Sequence, residues 1–132
     1  MLFRSSIAEK LGPMPDATTR LKGIFDRYGT WFRTPEFAGC LFEHALAEFG
    51  DTWPEVTDVA VRYRDDLLAM METLLKDVVP ANTARRLAGV YVMRLAGVTA
   101  DARAIGDPSA ASQAWHAAET LLHQARAATE AV

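Results

Sequence analysis

Apolar residues in this chain recur at intervals of three and four, and no stretch alternates apolar with polar long enough to make a strand. That spacing collects apolar side chains on one face of a helix, so the expected fold is all-α. Gly, Pro and Asp cut the pattern into about six helical segments. The first covers about Leu2 to Leu11 and stops at Gly12-Pro13. The second runs from about Asp16 to Phe32, with Leu21, Ile24, Phe25, Tyr28, Trp31 and Phe32 along one face. Thr34-Pro35 reads as an N-cap and first-turn proline opening the third, which carries Phe37, Cys40, Leu41, Ala45 and Phe49 and ends at Gly50. Pro54 opens the fourth, expected to reach Val79 before Pro80 breaks it. The fifth spans Ala81 to Ile105 and is closed by Gly106; the sixth follows Asp107-Pro108 and runs to about Ala128.

The 132 residues fit one domain, and half of them are hydrophobic, enough for a sizeable core. The formal net charge of −3 comes from interspersed acids and bases. A nucleic-acid reader would show a basic stripe, and none is visible. A lone cysteine, Cys40, cannot form an internal disulfide, which suits a reducing compartment. Arg4, Glu9 and Lys10 interrupt the start, and no run approaches the length of a membrane span, so a cytoplasmic, non-membrane protein is expected.

The last two segments differ in kind from the others. From Leu87 to Ile105 the fifth is apolar nearly all round, which calls for burial on two sides. One side can meet the core, and the other needs a neighbour. The sixth offers small residues around Trp115 and Leu122 that would let helix axes approach closely. A homodimer is therefore expected, with Val98, Ala102, Ile105, Ala111, Trp115, Ala118 and Leu122 in the seam. The alternative is one thick core that uses all this surface within the subunit.

Cys40, His44 and Glu48 lie four apart on the third segment and share a face. Cys and His ligate metals, and a Cys–His pair can act as nucleophile and base. Three ligands along one helix would span about 12 Å, however, too far for one ion. His116 and His123 sit in the last segment. No phosphate loop, paired-cysteine motif or nucleophile elbow occurs. No metal, cofactor or catalytic set is expected. Cys40 then reads as a small core residue, and His44 and Glu48 as polar lining or surface.

The run Leu21-Lys22-Gly23-Ile24-Phe25-Asp26-Arg27-Tyr28-Gly29-Thr30-Trp31-Phe32, followed by Pro35-Glu36-Phe37-Ala38-Gly39-Cys40-Leu41-Phe42, resembles the regulatory domain of TetR/AcrR-type transcription repressors. In many of those an aromatic pair precedes a Phe-x-Gly-Cys segment and then a Glu, here Glu48. Gly106-Asp107-Pro108 with Ala114-Trp115 and Ala117-Ala118-Glu119 is similar to the start of their last helix. The likeness extends over nearly the whole chain, so residues 1–132 are expected to form one C-terminal effector-binding and dimerisation domain. Leu2-Phe3-Arg4 with Ile7-Ala8 resembles the helix that follows the family's helix-turn-helix head, so that head is expected to be missing. Specific DNA binding by this chain alone is then not expected.

The resemblance implies a cavity among the central helices for a small, largely apolar effector. It also implies an intersubunit four-helix bundle built from the last two helices of each subunit. The cavity's candidate lining is Tyr28, Phe32, Cys40, His44, Tyr63, Met70 and Tyr91, which combine aromatic area with a few polar tips. His44 departs from relatives that carry a smaller amide or aliphatic residue there. Two other functions remain open: a headless dimerisation module that pairs with itself or with relatives, and a small enzyme built on Cys40 and His44.

Overall fold

The computed structural model of the chain describes residues 16–35 and 37–130, which form five helices and no strand. These are α1 (Ala17–Phe32), α2 (Leu41–Phe49), α3 (Pro54–Leu75), α4 (Ala81–Ile105) and α5 (Ala110–Glu130). The expected segment at residues 2–11 lies outside the described residues.

Helix α1 starts where a cap demands it. Asp16 has extended backbone, and its side chain is an N-cap. Its carboxylate accepts from the Thr19 amide at 2.8 Å and from the Thr19 hydroxyl at 3.0 Å. From there α1 buries Leu21, Ile24, Phe25, Tyr28 and Phe32, and it packs against α3, α4 and α5. Gly29 allows the approach to α5, since a Cβ there would lie 3.3 Å from the Ala111 Cβ.

The aromatic centre joins three helices. The Phe25 ring meets Tyr91 of α4 edge-on, with centroids 5.8 Å apart, and Trp115 of α5 at 5.5 Å. Edge-on contacts of this kind set the positive rim of one ring against the negative face of the other. The Tyr91 hydroxyl donates to the Ala118 carbonyl on α5 at 2.6 Å, so its polar tip is satisfied inside the core. The inner face of α4 is a regular stripe of Ala84, Leu87, Ala88, Tyr91, Val92, Leu95, Thr99 and Ala102. Gly106 ends that helix in the left-handed region, at φ 74°.

Two boundaries depart from the expected ones. Thr34-Pro35 does not open a helix. The Thr34 hydroxyl turns back to the Trp31 carbonyl at 2.7 Å, completing the end of α1 instead of capping forward. Gly39, at φ 91°, then breaks any helical path, so α2 begins only at Leu41 with Cys40 as its N-cap. At the other end of the α2–α3 pair, α3 stops at Leu75 and not at Val79. There the amides of Asp77 and Val78 reach back three residues to Leu74 and Leu75, tightening the chain ahead of Pro80.

Candidate functional site

Helix α2 packs chiefly on α3, so the space between α1, α2, α3 and α4 is incompletely filled. A cavity of about 260 Å³, open on one side, lies there. Tyr28 and Trp31 come from the end of α1, Cys40 and Glu43 from the start of α2, Tyr63 and Leu67 from α3, and Val92, Leu95 and Thr99 from α4. Its wall is mostly apolar. Its size falls just below the usual range of small-molecule sites, which begins at about 300 Å³.

Polar groups gather at the α2 end. Burial pushes the Tyr28 hydroxyl pKa well above its ordinary range, with the neighbouring Tyr63, its hydrogen bond, and then Cys40 and Glu43 adding to the rise. Tyr28 therefore faces the cavity as a neutral group at any physiological pH. Thr99, the polar member of the α4 stripe, satisfies its hydroxyl on the Leu95 carbonyl at 2.7 Å.

A second recess of about 320 Å³ adjoins the first and shares Cys40, Glu43 and Thr99 with it. It is lined by Gly39, His44 and Arg103 as well. The Arg103 guanidinium donates to the Ala38 carbonyl and contacts the His44 ring, tying α4 to the turn before α2. A Cβ on Gly39 would meet Arg103 Cδ at 2.9 Å, so the turn sits directly on that side chain.

Of the seven expected lining residues, Tyr28, Cys40 and Tyr63 line the cavity, and His44 lines the adjoining recess. The other three lie elsewhere. Phe32 is buried in a ring cluster with Trp31 and Phe37, at 5.9 and 5.1 Å, because the turn folds Phe37 back onto the end of α1. Tyr91 is fully buried against Phe25 and α5, and Met70 packs half-buried on the core without reaching the cavity. Trp31, Glu43 and Thr99 were missed. Glu43 becomes visible as a partner of Cys40, three residues on, once α2 is known to start at Leu41. Thr99 was legible as the polar position on the Tyr91–Leu95–Thr99 stripe.

The residues expected in the seam divide between the core and the outer face of the subunit. Ala102, Ala111, Trp115, Ala118 and Leu122 are all buried within the subunit, Ala118 completely. The small side chains among them do bring helix axes close, as Ala111 does with Gly29, but the helices are those of one chain. Val98 and Ile105 alone face outward, beside an open groove of about 730 Å³ between α4 and α5. Met93 and Ile105 stand 61% and 75% exposed on this face, and Gly97 has nothing within 4 Å of where a Cβ would be.

Among the described residues, no group of three His, Cys, Asp or Glu side chains could hold a metal ion, and no helix is long and apolar enough to cross a membrane. His44 is directed at Arg103, an arrangement that does not present it as a base.

Comparison with known proteins agrees with the fold. Residues 17–118 match the family model of the tetracyclin repressor-like C-terminal domain. The structure is similar to that of a TetR-family transcriptional regulator from Streptomyces coelicolor, with TM-score 0.83 and 25% identity. The match covers 94% of this chain and 61% of that protein, so the chain spans less than two thirds of its length. No curated protein matches the chain.

Proposed function

Since the chain belongs to the tetracyclin repressor-like C-terminal domain family, we propose that it is the effector-binding and dimerisation module of a TetR-type transcriptional regulator. The observation that carries this reading is the aromatic-walled, apolar cavity between α1, α2, α3 and α4. A small apolar or amphipathic molecule seated there would touch all four helices, so it could favour one relative arrangement of them over another. An effector acts only through such a difference in affinity between two states. DNA recognition, on this reading, belongs to a part of the regulator outside the matched C-terminal domain.

A second copy of the chain would pair through the outer face of α4 and α5, around Met93, Gly97, Val98 and Ile105. Exposed Met93 and Ile105, beside a groove lined by apolar residues together with Arg94, Asp101 and Gln113, support that surface. Twofold pairing is the commonest oligomer geometry.

The test is a thermal-shift screen of small amphipathic compounds against the wild type and Leu67→Trp, which fills the cavity from α3. Compounds that raise the melting temperature of the wild type and not of Leu67→Trp support the reading. A screen in which no compound stabilises the wild type counts against it.

A further inference from the structure

The corner between α2 and α3 presents apolar surface to water. Phe49, at the end of α2, and Trp53, just ahead of α3, stack with ring centroids 5.6 Å apart and planes 22° from parallel. They are nevertheless 40% and 58% exposed. Leu46, one turn earlier on α2, is exposed as well and joins this surface to the rim of the cavity. Hydrogen bonds hold the corner in shape. The Trp53 amide donates to the Phe49 carbonyl at 2.8 Å, and the Thr57 hydroxyl of α3 donates to the Gly50 carbonyl at 3.3 Å. Rings already fixed in a stack lose little freedom when a partner covers them.

The charge along this corner has one sign. Between Arg33 and Arg62 the sequence holds no Lys or Arg, the longest such stretch of the chain. Glu43, Glu48, Asp51, Glu55 and Asp58 are exposed along it, and no ion pair among the described residues includes them. That charge discriminates among occupants. A twofold contact with a second copy would set the corner's negative charge against itself. Nucleic acid and anionic lipid would be repelled by it. A basic segment with an apolar strip uses both features at once, its Lys and Arg meeting carboxylates while the strip covers the rings. We propose that this corner docks a cationic amphipathic helix of a separate partner protein, with Phe49 and Trp53 as its anchors and Asp51, Glu55 and Asp58 as its charge partners.

Fluorescence anisotropy of a labelled peptide, titrated with the full chain, tests the proposal. The probe is a peptide of Leu and Lys at amphipathic helical spacing, and its control replaces every Lys with Glu. The Leu–Lys peptide is expected to bind, and the Leu–Glu peptide to bind about tenfold more weakly or less. Trp53→Ala should weaken the Leu–Lys peptide about tenfold, as loss of an anchor does. The pair Glu55→Gln, Asp58→Asn should weaken it and reduce its dependence on salt. Glu130→Gln, at the last residue of α5, should change neither. Circular dichroism of each variant checks that the helices are intact. Equal binding of the two peptides, no binding of the Leu–Lys peptide, or wild-type binding by both corner variants overturns the proposal. Two further results would replace the partner with another occupant and overturn it equally. Displacement of the Leu–Lys peptide by a peptide of residues 1–15 would assign the corner to the chain's own start, and dissociation of a dimer by Trp53→Ala would assign it to a second copy.

Discussion

The hydroxyl of Tyr91 donates to the carbonyl of Ala118 at 2.6 Å, joining α4 to α5 inside the subunit. Sequence alone would send these two residues to different places, Tyr91 to the ligand cavity and Ala118 to the dimer seam. Both instead belong to the core around Phe25. Tyr91→Phe removes this bond while the Ala118 carbonyl keeps its partner within the helix, a loss of about 0.5–1.5 kcal/mol. Urea denaturation should show that loss with an unchanged denaturant slope, and an unaltered midpoint would mean the bond contributes nothing net.

The dimer surface is best probed on the outside. Ala118 has no exposure, so Ala118→Arg should prevent folding and not yield a clean monomer. Gly97→Glu adds a charge on the open face of α4, where nothing lies within 4 Å of the new Cβ. We expect sedimentation velocity to find wild-type dimer and Gly97→Glu monomer, with equal helix content by circular dichroism. A Gly97→Glu protein that still sediments as a dimer would place the seam elsewhere.

The turn before α2 depends on Gly39 and Arg103 together. Gly39→Ala puts a side chain into left-handed backbone, at a cost of about 1–2 kcal/mol. It also drives the new Cβ against Arg103. Arg103→Ala releases the same turn without backbone strain. Both variants should speed hydrogen exchange at the amides of α2 while leaving the Phe25–Tyr91–Trp115 region protected. Uniform protection throughout would mean the tie to Ala38 and His44 is unimportant.

Acid should act first on the helix starts. The Thr19 amide and hydroxyl hold the Asp16 carboxyl below its ordinary value of 3.8, and the Ser109 hydroxyl and amide do the same for Asp107. A carboxylate whose folded pKa is depressed adds stability above its unfolded value and loses it as pH falls through the folded one. Helix content should therefore hold down to about pH 4 and decline below it. Asparagine can cap without titrating, so an Asp16→Asn, Asp107→Asn double variant should show a flatter acid limb. An identical acid limb would assign the transition to other carboxylates.

Helix type and most boundaries were legible because they rest on local chemistry. Asp16 caps forward, Pro54 needs no amide partner in a first turn, and Gly106 adopts left-handed backbone that other residues resist. Thr34-Pro35 misled because the same hydroxyl that can cap forward can also turn back to Trp31, and only packing decides. The site was half legible for a related reason. Periodicity placed Tyr28 and Tyr63 on inward faces, but Phe32 and Tyr91 have the same periodicity and are covered by Phe37 and Phe25. Apolar surface all round α4 did signal two neighbours. Which neighbours those were depended on α1 and α5 both packing on α4, a long-range arrangement that spacing along the chain does not encode.

That arrangement also has a consequence during synthesis. Phe25 emerges from the ribosome well ahead of one of its ring partners, Trp115, which follows about ninety residues later. At about 5–20 residues per second, α1 waits on the order of ten seconds before α5 can cover it. Throughout that interval the part of α1 that α5 covers, Phe25 and Gly29 among it, is a sticky face on a nascent chain. Slow translation or a surplus of ribosomes on one message would then reduce the yield of folded protein without any change in its final stability, and a chaperone that shields α1 would restore it.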